Sequence, residues 1–412
     1  MNTEDNQACA HLGRIIYQNL APLIPGDYIL LDLPYHSNIG DILIWLGEQT
    51  FLKELPGKCL GQHSKETFDF SPIPSDCSIL LHGGGNFGDI WRDHQEFRLK
   101  VIQSYPDNNI IIFPQTIHYE SYELFANDVE IMNNHRHLTV CARDNNSFKI
   151  LKEKSFTGTI LVLPDMAFCI HPNELLSTVT VKPPLKDNLL LVREDKEINS
   201  KTRIRELVSK YTMSDWPQIM ESSDMAFQYM RRHDREEIDA FFINDFFPRR
   251  IKEGAEFVLS FNKVCSTRLH VAILRLLLGL PVQIIDNSYG KNLSFYNTWL
   301  MDINLVEVPT GEELKDLEII CFIRKLLIDE RGKIRQEYEQ QIIDMKKKLQ
   351  DQKKSVESLK LVNEECCSSL GILKHDLHIE TLKHKKYRLL FNFMLLVILF
   401  VFIVLLIIIY QQ

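Results

Sequence analysis

The sequence predicts an α/β protein with two Rossmann-like lobes, followed by a coiled-coil helix and a C-terminal transmembrane helix. Three observations predict this organisation. Short runs rich in Ile, Leu and Val alternate with helical patterns over roughly residues 1–310, a charged segment without proline follows, and an uncharged apolar stretch comes last. Alternating strands and helices are typical of parallel sheets that helices cover on both faces.

The first part of the chain predicts an N-terminal lobe, residues 1–180. Its strands are expected at 28–33, 78–82, 109–114, 138–142 and 159–164, with helices near 41–53, 94–104, 120–134 and 145–153. A connector with two prolines, VKPPLKD, then interrupts the alternation at residues 181–187. Prolines of this kind punctuate regular structure, so the connector predicts a domain boundary.

The alternation then resumes and predicts a C-terminal lobe, residues 181–326. Its strands are expected at 188–192, 224–230, 256–260 and 281–286, with helices near 200–210, 234–244 and 268–278. Open parallel sheets bind ligands beyond the carboxyl ends of their strands. The sequence therefore predicts a site in a cleft between the two lobes.

Residues 327–382 predict a coiled-coil stalk. The segment lacks proline, and a heptad register places apolar residues or Cys at most a and d positions, with Asn363 at one a position. Such a pattern favours a coiled coil, and a single buried Asn favours a two-stranded register. We expect a parallel homo-oligomer; a linker helix without a partner is the alternative.

Residues 389–410 predict a transmembrane helix, because they carry no charged side chain and are almost entirely apolar. A helix rises ~1.5 Å per residue, so this stretch can cross a ~30 Å hydrocarbon layer. Lys383, Lys385, Lys386 and Arg388 precede it. Positive residues stay on the cytoplasmic side, which predicts a membrane protein with a cytoplasmic catalytic head.

Composition excludes some function classes. The net charge of −8 argues against nucleic-acid binding. The nine cysteines form no CxxC pair, and the carboxylates show no clustered ligand spacing, so no metal is expected.

Polar residues follow several of the predicted N-lobe strands. Asn38 and Asp41 begin a helix, where either could simply be its N-cap. The run HGGGNFGD, residues 82–89, matches neither GxGxxG nor a Walker loop, although successive backbone amides could hold an anion. The candidate residues of this run are Gly83, Gly84, Gly85, Asn86 and Asp89.

In the C-lobe, Ser266 or Thr267 is expected to cap a helix that carries Arg268 and His270 in its first turn. The amides and dipole of a first turn favour an anion, and Arg adds a fork suited to phosphate or carboxylate. Downstream, Lys291 follows a glycine and is a further candidate phosphate contact.

The ordered set of these motifs resembles the polysaccharide pyruvyl transferase family. The motifs are SNIGD (37–41), HGGGNFGDIW (82–91), FPQTI (113–117), ARDNNSF (142–148), LPDMAF (163–168), STRLH (266–270) and GLPVQIIDNSYGKN (279–292). The resemblance implies a two-lobed fold like that of B-type glycosyltransferases. It also implies transfer of pyruvate from phosphoenolpyruvate to two sugar hydroxyls, giving a cyclic ketal and phosphate, with Arg143, Arg268 and His270 holding the donor.

Such a reaction needs a general acid for C3 of the donor, for which His270 is the hypothesis, and a base for the acceptor hydroxyl. Asp41 and Asp89 are both candidates for the base. No cofactor beyond the co-substrate is expected, and the acceptor glycan is left open. Two alternatives remain: a nucleotide-sugar glycosyltransferase of the same fold, and a catalytically inactive membrane-tethered scaffold.

Overall fold

The computed structural model describes residues 3–153, 155–179, 186–191, 212–216, 229–287, 289–310 and 385–395. The chain forms two compact units, Met1–Asp329 and Glu330–Gln412. In the second unit, residues 385–395 are helical.

The predicted coiled coil, residues 327–382, lies outside the described residues, as does most of the predicted membrane helix, residues 389–410. Within the described ranges, none of the helices combines the length and the apolar character that a bilayer crossing requires.

The first unit contains two sheets, and every strand pair in them is parallel. The larger sheet has seven strands in the order β2-β1-β3-β5-β6-β7, with β4 paired to the far end of β5. Its strands are β1 (Tyr28–Leu31), β2 (Cys59–His63), β3 (Ser78–Leu81), β4 (Gly84–Gly88), β5 (Ile110–His118), β6 (Leu138–Ala142) and β7 (Thr159–Val162).

Six helices belong to this part of the chain. They are α1 (Thr3–Leu20), α2 (Ile39–Lys53), α3 (Arg92–Ser104), α4 (Tyr122–Asn133), α5 (Asn145–Glu153) and α6 (Pro172–Thr178). Successive side chains of a strand point to opposite faces, and β5 shows the result. Ile111 and Phe113 join one apolar core, whereas Ile110 and Ile112 join the other. Because both faces are covered, the buried strands β1, β3 and β6 and the first half of β5 are almost entirely apolar.

The second sheet has five strands in the order β12-β11-β10-β8-β9. These strands are β8 (Lys186–Leu191), β9 (Thr212–Ser214), β10 (Phe261–Ser266), β11 (Val282–Ile284) and β12 (Val306–Glu307). Its described helices are α7 (Arg235–Phe241), α8 (Phe247–Leu259), α9 (Leu269–Leu277) and α10 (Lys291–Phe295). The predicted helix at 200–210 and nearly all of the predicted strand at 224–230 lie outside the described residues.

The strand predicted at 256–260 is wrong. Those residues end α8, and β10 begins only at Phe261. The reason is visible in the spacing, because Phe247, Ile251 and Val258 are buried on one helical face. The short apolar run at the C-terminal end of this amphipathic helix has the composition of a buried strand, and this led to the wrong prediction.

A polar cluster joins the two lobes, and we call it the clasp. Asp239 of α7 accepts hydrogen bonds from the hydroxyls of Tyr35 and Thr67, the latter at 2.7 Å. Its other oxygen lies 2.7 Å from Nδ1 of His63. Burial and the neighbouring Asp239 raise the pKa of Tyr35, so its phenol stays protonated as a donor.

Candidate active site

A cleft of about 340 Å³ lies at the carboxyl ends of strands from both sheets. Its lining comes from the segments after β1, β9, β10 and β11 and from β4 with the turn behind it. Seven of the predicted site residues line it: Asn38, Asp41, Gly85, Asn86, Arg268, His270 and Lys291.

The N-terminus of α2 forms one wall of the cleft. Asn38 is the N-cap, and its side-chain oxygen accepts a hydrogen bond from the amide of Gly40 at 3.1 Å. The side-chain amide of Asn38 also donates to Asp41 at 2.7 Å. Asn38 therefore both caps the helix and orients a carboxylate that faces the cleft.

Asp41 is an ionised carboxylate in a cationic environment. Burial alone would raise its pKa, but His36, His270, His82 and Lys291 together hold the pKa of Asp41 below its ordinary value. Nε2 of His36 lies 3.6 Å from this carboxylate.

The glycine run does not form an open loop. Gly84–Gly88 is strand β4, with a register break against β5. The amide of Gly83 donates to buried Glu48 at 2.8 Å, and the other oxygen of Glu48 lies 2.8 Å from Nδ1 of His82. Gly83 thus supports the floor of the cleft, and its amide is already engaged.

Two positions of the run require glycine, Gly85 because other groups approach it closely and Gly84 because of its backbone conformation. A Cβ on Gly85 would lie 2.7 Å from Nζ of Lys291 and 3.3 Å from a guanidinium nitrogen of Arg143. Gly84 is buried and has φ +131°, a backbone conformation that L side chains rarely adopt. The missing side chain at Gly85 is therefore where cations from the two lobes converge.

The two remaining residues of the run differ in position. Asn86 lines the cleft and accepts hydrogen bonds from Arg98 through its side-chain oxygen and, at 3.1 Å, its backbone carbonyl. Asp89 is absent from the described residues that line the cleft. Its carboxylate accepts hydrogen bonds from the amides of Glu120 and Ser121, at 2.7–3.0 Å, in the turn before α4.

Arg143 and His270 come together on one carboxylate. Asp165 follows β7, and its Oδ2 lies 2.6 Å from Nη1 of Arg143 and 3.2 Å from Nε2 of His270. The side chain of Arg143 is fully buried and also donates to the hydroxyl of Thr116. Burial would raise the pKa of Asp165, but His270 and Arg143 hold that pKa well below its usual range.

Arg268 is paired with a carboxylate that the sequence analysis did not identify. Its guanidinium binds Asp215 through two nitrogens, one of them, Nη2, at 2.6 Å. Asp215 directly follows β9 and is buried. The sequence SDW, in which an Asp follows a short strand, could have indicated a site residue. Its pairing with Arg268 could not be predicted, because the two residues are far apart along the chain.

The expected cap of α9 is wrong. The N-cap is Arg268, and no described side chain caps the first turn of the helix. Ser266 instead accepts a hydrogen bond from the amide of Arg268 at 2.9 Å. This local turn aims Arg268 into the cleft and leaves His270 in the first helical turn.

Lys291 begins α10 directly after Gly290, which adopts the left-handed conformation with φ 82°. Its amide donates to the side chain of Asn287 at 2.8 Å, so the turn is fixed from within. The side chain is largely buried where it passes toward Gly85. The glycine therefore places the ammonium group at the centre of the cleft.

The cleft also contains residues that the sequence analysis missed, notably His36, Trp91, His94 and Arg250. Nδ1 of His94 lies 2.7 Å from Asp32, which is fully buried and has φ 67°. The available signal was the helical spacing that puts His94 one turn after Trp91.

Among the residues that the structure describes, no group of three or more His, Cys, Asp or Glu side chains is arranged to hold a metal ion. The cleft instead offers the basic side chains of Arg268, Lys291 and His270 together with the carboxylate of Asp41. This combination suits a small multiply charged acid next to a group that must lose a proton.

Comparisons with known proteins identify relatives of this chain. EpsO of Bacillus subtilis, whose name assigns it to the pyruvyl transferases, is 29% identical over 292 residues, which are 68% of this chain and 88% of EpsO. Pyruvyl transferase 1 of Schizosaccharomyces pombe is 29% identical over 295 residues, 66% of this chain and 69% of that protein.

A crystal structure of an uncharacterised Klebsiella pneumoniae protein shares the fold, with a TM-score of 0.50 and 21% identity over 72% of this chain and 97% of that one. The model of the polysaccharide pyruvyl transferase family matches residues 38–289, a range that covers more than half of the sequence and all of the cleft residues except His36, Ser37 and Lys291. The chain belongs to the polysaccharide pyruvyl transferase family.

Proposed function

We propose that the protein transfers pyruvate from phosphoenolpyruvate to two hydroxyls of a sugar in a polysaccharide or lipid-linked glycan, forming a ketal and releasing phosphate. The observation that carries the proposal is that Arg268, His270 and Lys291 line one cleft together with Asp41. Phosphoenolpyruvate carries a phosphate and a carboxylate on three carbons, so it needs several cationic donors close together.

The donor would bind at the end of the cleft where Gly85 makes room. Lys291 and Arg143 approach that glycine from opposite lobes, and Arg268 and His270 lie at the adjoining helix terminus. Arg143 is fully buried behind the glycine and bound to Asp165, so we propose that it acts on the donor through its charge and by orienting Asp165.

The chemistry requires two proton movements. In the first step the acceptor hydroxyl adds to C2 of the donor while C3 takes up a proton, and this converts the double bond into a methyl group. We propose His270 as the acid, because it lines the cleft and its imidazole is held in place by the carboxylate of Asp165, 3.2 Å from Nε2. In the second step a neighbouring hydroxyl displaces phosphate from C2, which closes the ketal, and the departing phosphate takes up its proton.

Asp41 is the better of the two candidates for the base. It lines the cleft as a carboxylate that Asn38 orients, whereas Asp89 uses its carboxylate to hold backbone amides of the turn before α4. A base within reach of the acceptor contributes ~10²–10⁴-fold to the rate.

Mass spectrometry tests the proposal directly. Candidate glycans are incubated with the purified protein and phosphoenolpyruvate, and the expected product is heavier by one ketal-linked pyruvate, with one phosphate released per transfer. The matched control is His270→Gln. Thermal-shift measurements with phosphoenolpyruvate and with a panel of nucleotide sugars complete the test; stabilisation by a nucleotide sugar alone would contradict the proposal.

For the C-terminal part, we propose a membrane tether at residues 389–410 and a parallel coiled coil at residues 327–382, with the catalytic head cytoplasmic. The apolar and heptad patterns support it. The full chain should stay with membranes after alkaline extraction, whereas a chain shortened before residue 383 should not. Recovery of the full chain in the supernatant would contradict the tether.

A further inference from the structure

We propose that Asp215 is the positioning residue for Arg268, and that it sets the affinity of the cleft for an anionic three-carbon donor without taking part in the chemical step. The inference rests on the proposed function, because it assumes that Arg268 contacts the donor. The observation behind it is the two-point pairing of the Arg268 guanidinium with a buried carboxylate from a different strand.

The pairing connects two distant parts of the chain across the second sheet. Asp215 follows β9 and Arg268 follows β10, and β8 lies between these strands in the sheet. Nε of Arg268 binds Oδ1 and Nη2 binds Oδ2 at 2.6 Å. Two parallel bonds fix the plane of the guanidinium as well as its position.

The carboxylate is itself held in place. Oδ1 of Asp215 accepts a hydrogen bond from the amide of Trp216 at 2.7 Å, and the Asp215 residue is only 4% exposed. Both Asp215 and Trp216 line the cleft. The Asp215 carboxylate is therefore fixed in place, and the longer, more flexible side chain of Arg268 is held by binding to it.

The donor is not expected to displace Asp215. Removing Arg268 from the pair would leave a buried carboxylate without its charge partner, and such a group is costly. Arg268 thus presents a guanidinium of fixed orientation, and an arginine held in advance loses less rotamer entropy when it binds an anion.

Two roles for Asp215 predict opposite effects on donor binding. If Asp215 imitated the donor carboxylate and blocked Arg268, removing its charge would tighten donor binding, whereas a positioning role predicts weaker binding.

The test is a double-mutant cycle on the full chain, with phosphoenolpyruvate binding measured by calorimetry and turnover measured by phosphate release. Asp215→Asn, which keeps the shape of the side chain, should raise KM and Kd for phosphoenolpyruvate about 10-fold and leave kcat within about threefold. Arg268→Lys cannot form the fork, so adding Asp215→Asn to it should cost little more. This non-additivity distinguishes a residue that acts through Arg268 from one that merely supports the fold.

Two further variants keep the test decisive. Asp215→Glu retains the charge but moves it by one methylene, and it should raise KM as well, because position matters. Asp245→Asn breaks the exposed Asp245–Arg249 ion pair at 2.7 Å and should change neither constant. Unchanged or tighter donor binding in Asp215→Asn, or additive effects in the cycle, would overturn the inference. Failure of the unaltered protein to bind phosphoenolpyruvate would instead overturn the proposed function.

Discussion

Gly40→Ala should disable the active site while leaving the protein folded. Gly40 lies in the first turn of α2, and a Cβ built on it would lie 2.6 Å from Nδ1 of His270 and 3.0 Å from the Cβ of His270. Ordinary van der Waals contact begins at 3.4 Å, so the imidazole must move by about 0.8 Å.

That displacement is large on the scale of the site. The bond from His270 to Asp165 is 3.2 Å long, and a shift of this size takes it beyond hydrogen-bonding distance. A misplacement of about 1 Å costs on the order of 10²-fold in rate. The stability change should be small, because alanine gains up to about 1 kcal/mol in a helix and overpacking costs about 1–3 kcal/mol.

The assay compares phosphate release and thermal unfolding for Gly40→Ala with those for Gly47→Ala. Gly47 lies two turns further along the same helix, where a Cβ would lie 2.0 Å from the backbone carbonyl oxygen of Met166. We expect Gly47→Ala to lose more stability but to retain activity per folded molecule. If Gly40→Ala turned over within twofold of the parent, the assignment of His270 to the chemistry would be refuted.

Three other predictions follow from the same geometry. Asp41→Asn should lower kcat by at least about 10²-fold because it removes the base. Asp89→Asn should instead leave kcat near that of the parent and lower only the melting temperature. The opposite pattern would show that Asp89, and not Asp41, is the base. Gly85→Ala should raise the donor KM several-fold with little loss of stability, since its methyl group displaces the flexible end of a lysine, and calorimetry with phosphoenolpyruvate measures this. Burial alone would lower the pKa of His82, but Glu48 raises it, so the pair's stabilisation is complete below about pH 6.5 and is lost as pH rises through the raised pKa. The difference in unfolding free energy between the parent and His82→Gln should therefore shrink from pH 6 to 9, and a constant difference would contradict the pairing.

Strands β1, β3, β5 and β6 were predictable because they are buried and contain continuous apolar runs, whereas the polar, partly exposed strand β2 (Cys59–His63) was not predicted. Residues 138–142, for example, were predicted and found as a strand with the same bounds. Strand β4 was not predictable, because Gly84–Gly88 contains three glycines, and its pairing depends on the distant Gln115–His118 segment. Pairing with this distant segment therefore outweighed the low strand propensity of the three glycines.

The candidate site was predictable to the extent that its residues follow strands. Asn38, Asp41, Arg268 and His270 line one cleft, as parallel topology requires. Their partners were not predictable, since Asp215 is 53 residues from Arg268 along the sequence. Periodicity indicates which face a residue occupies, but it does not indicate which charged residue from a distant part of the chain will contact it.

The clasp has a consequence for how ligands reach the cleft. Separating the lobes would break the contacts of the Asp239 carboxylate with two hydroxyls and an imidazole of the opposite lobe. Losing such contacts costs free energy. Hinge bending is therefore restrained before any ligand arrives. If the proposed function holds, stopped-flow traces of phosphoenolpyruvate association should fit a single bimolecular phase, without a slower phase from lobe closure.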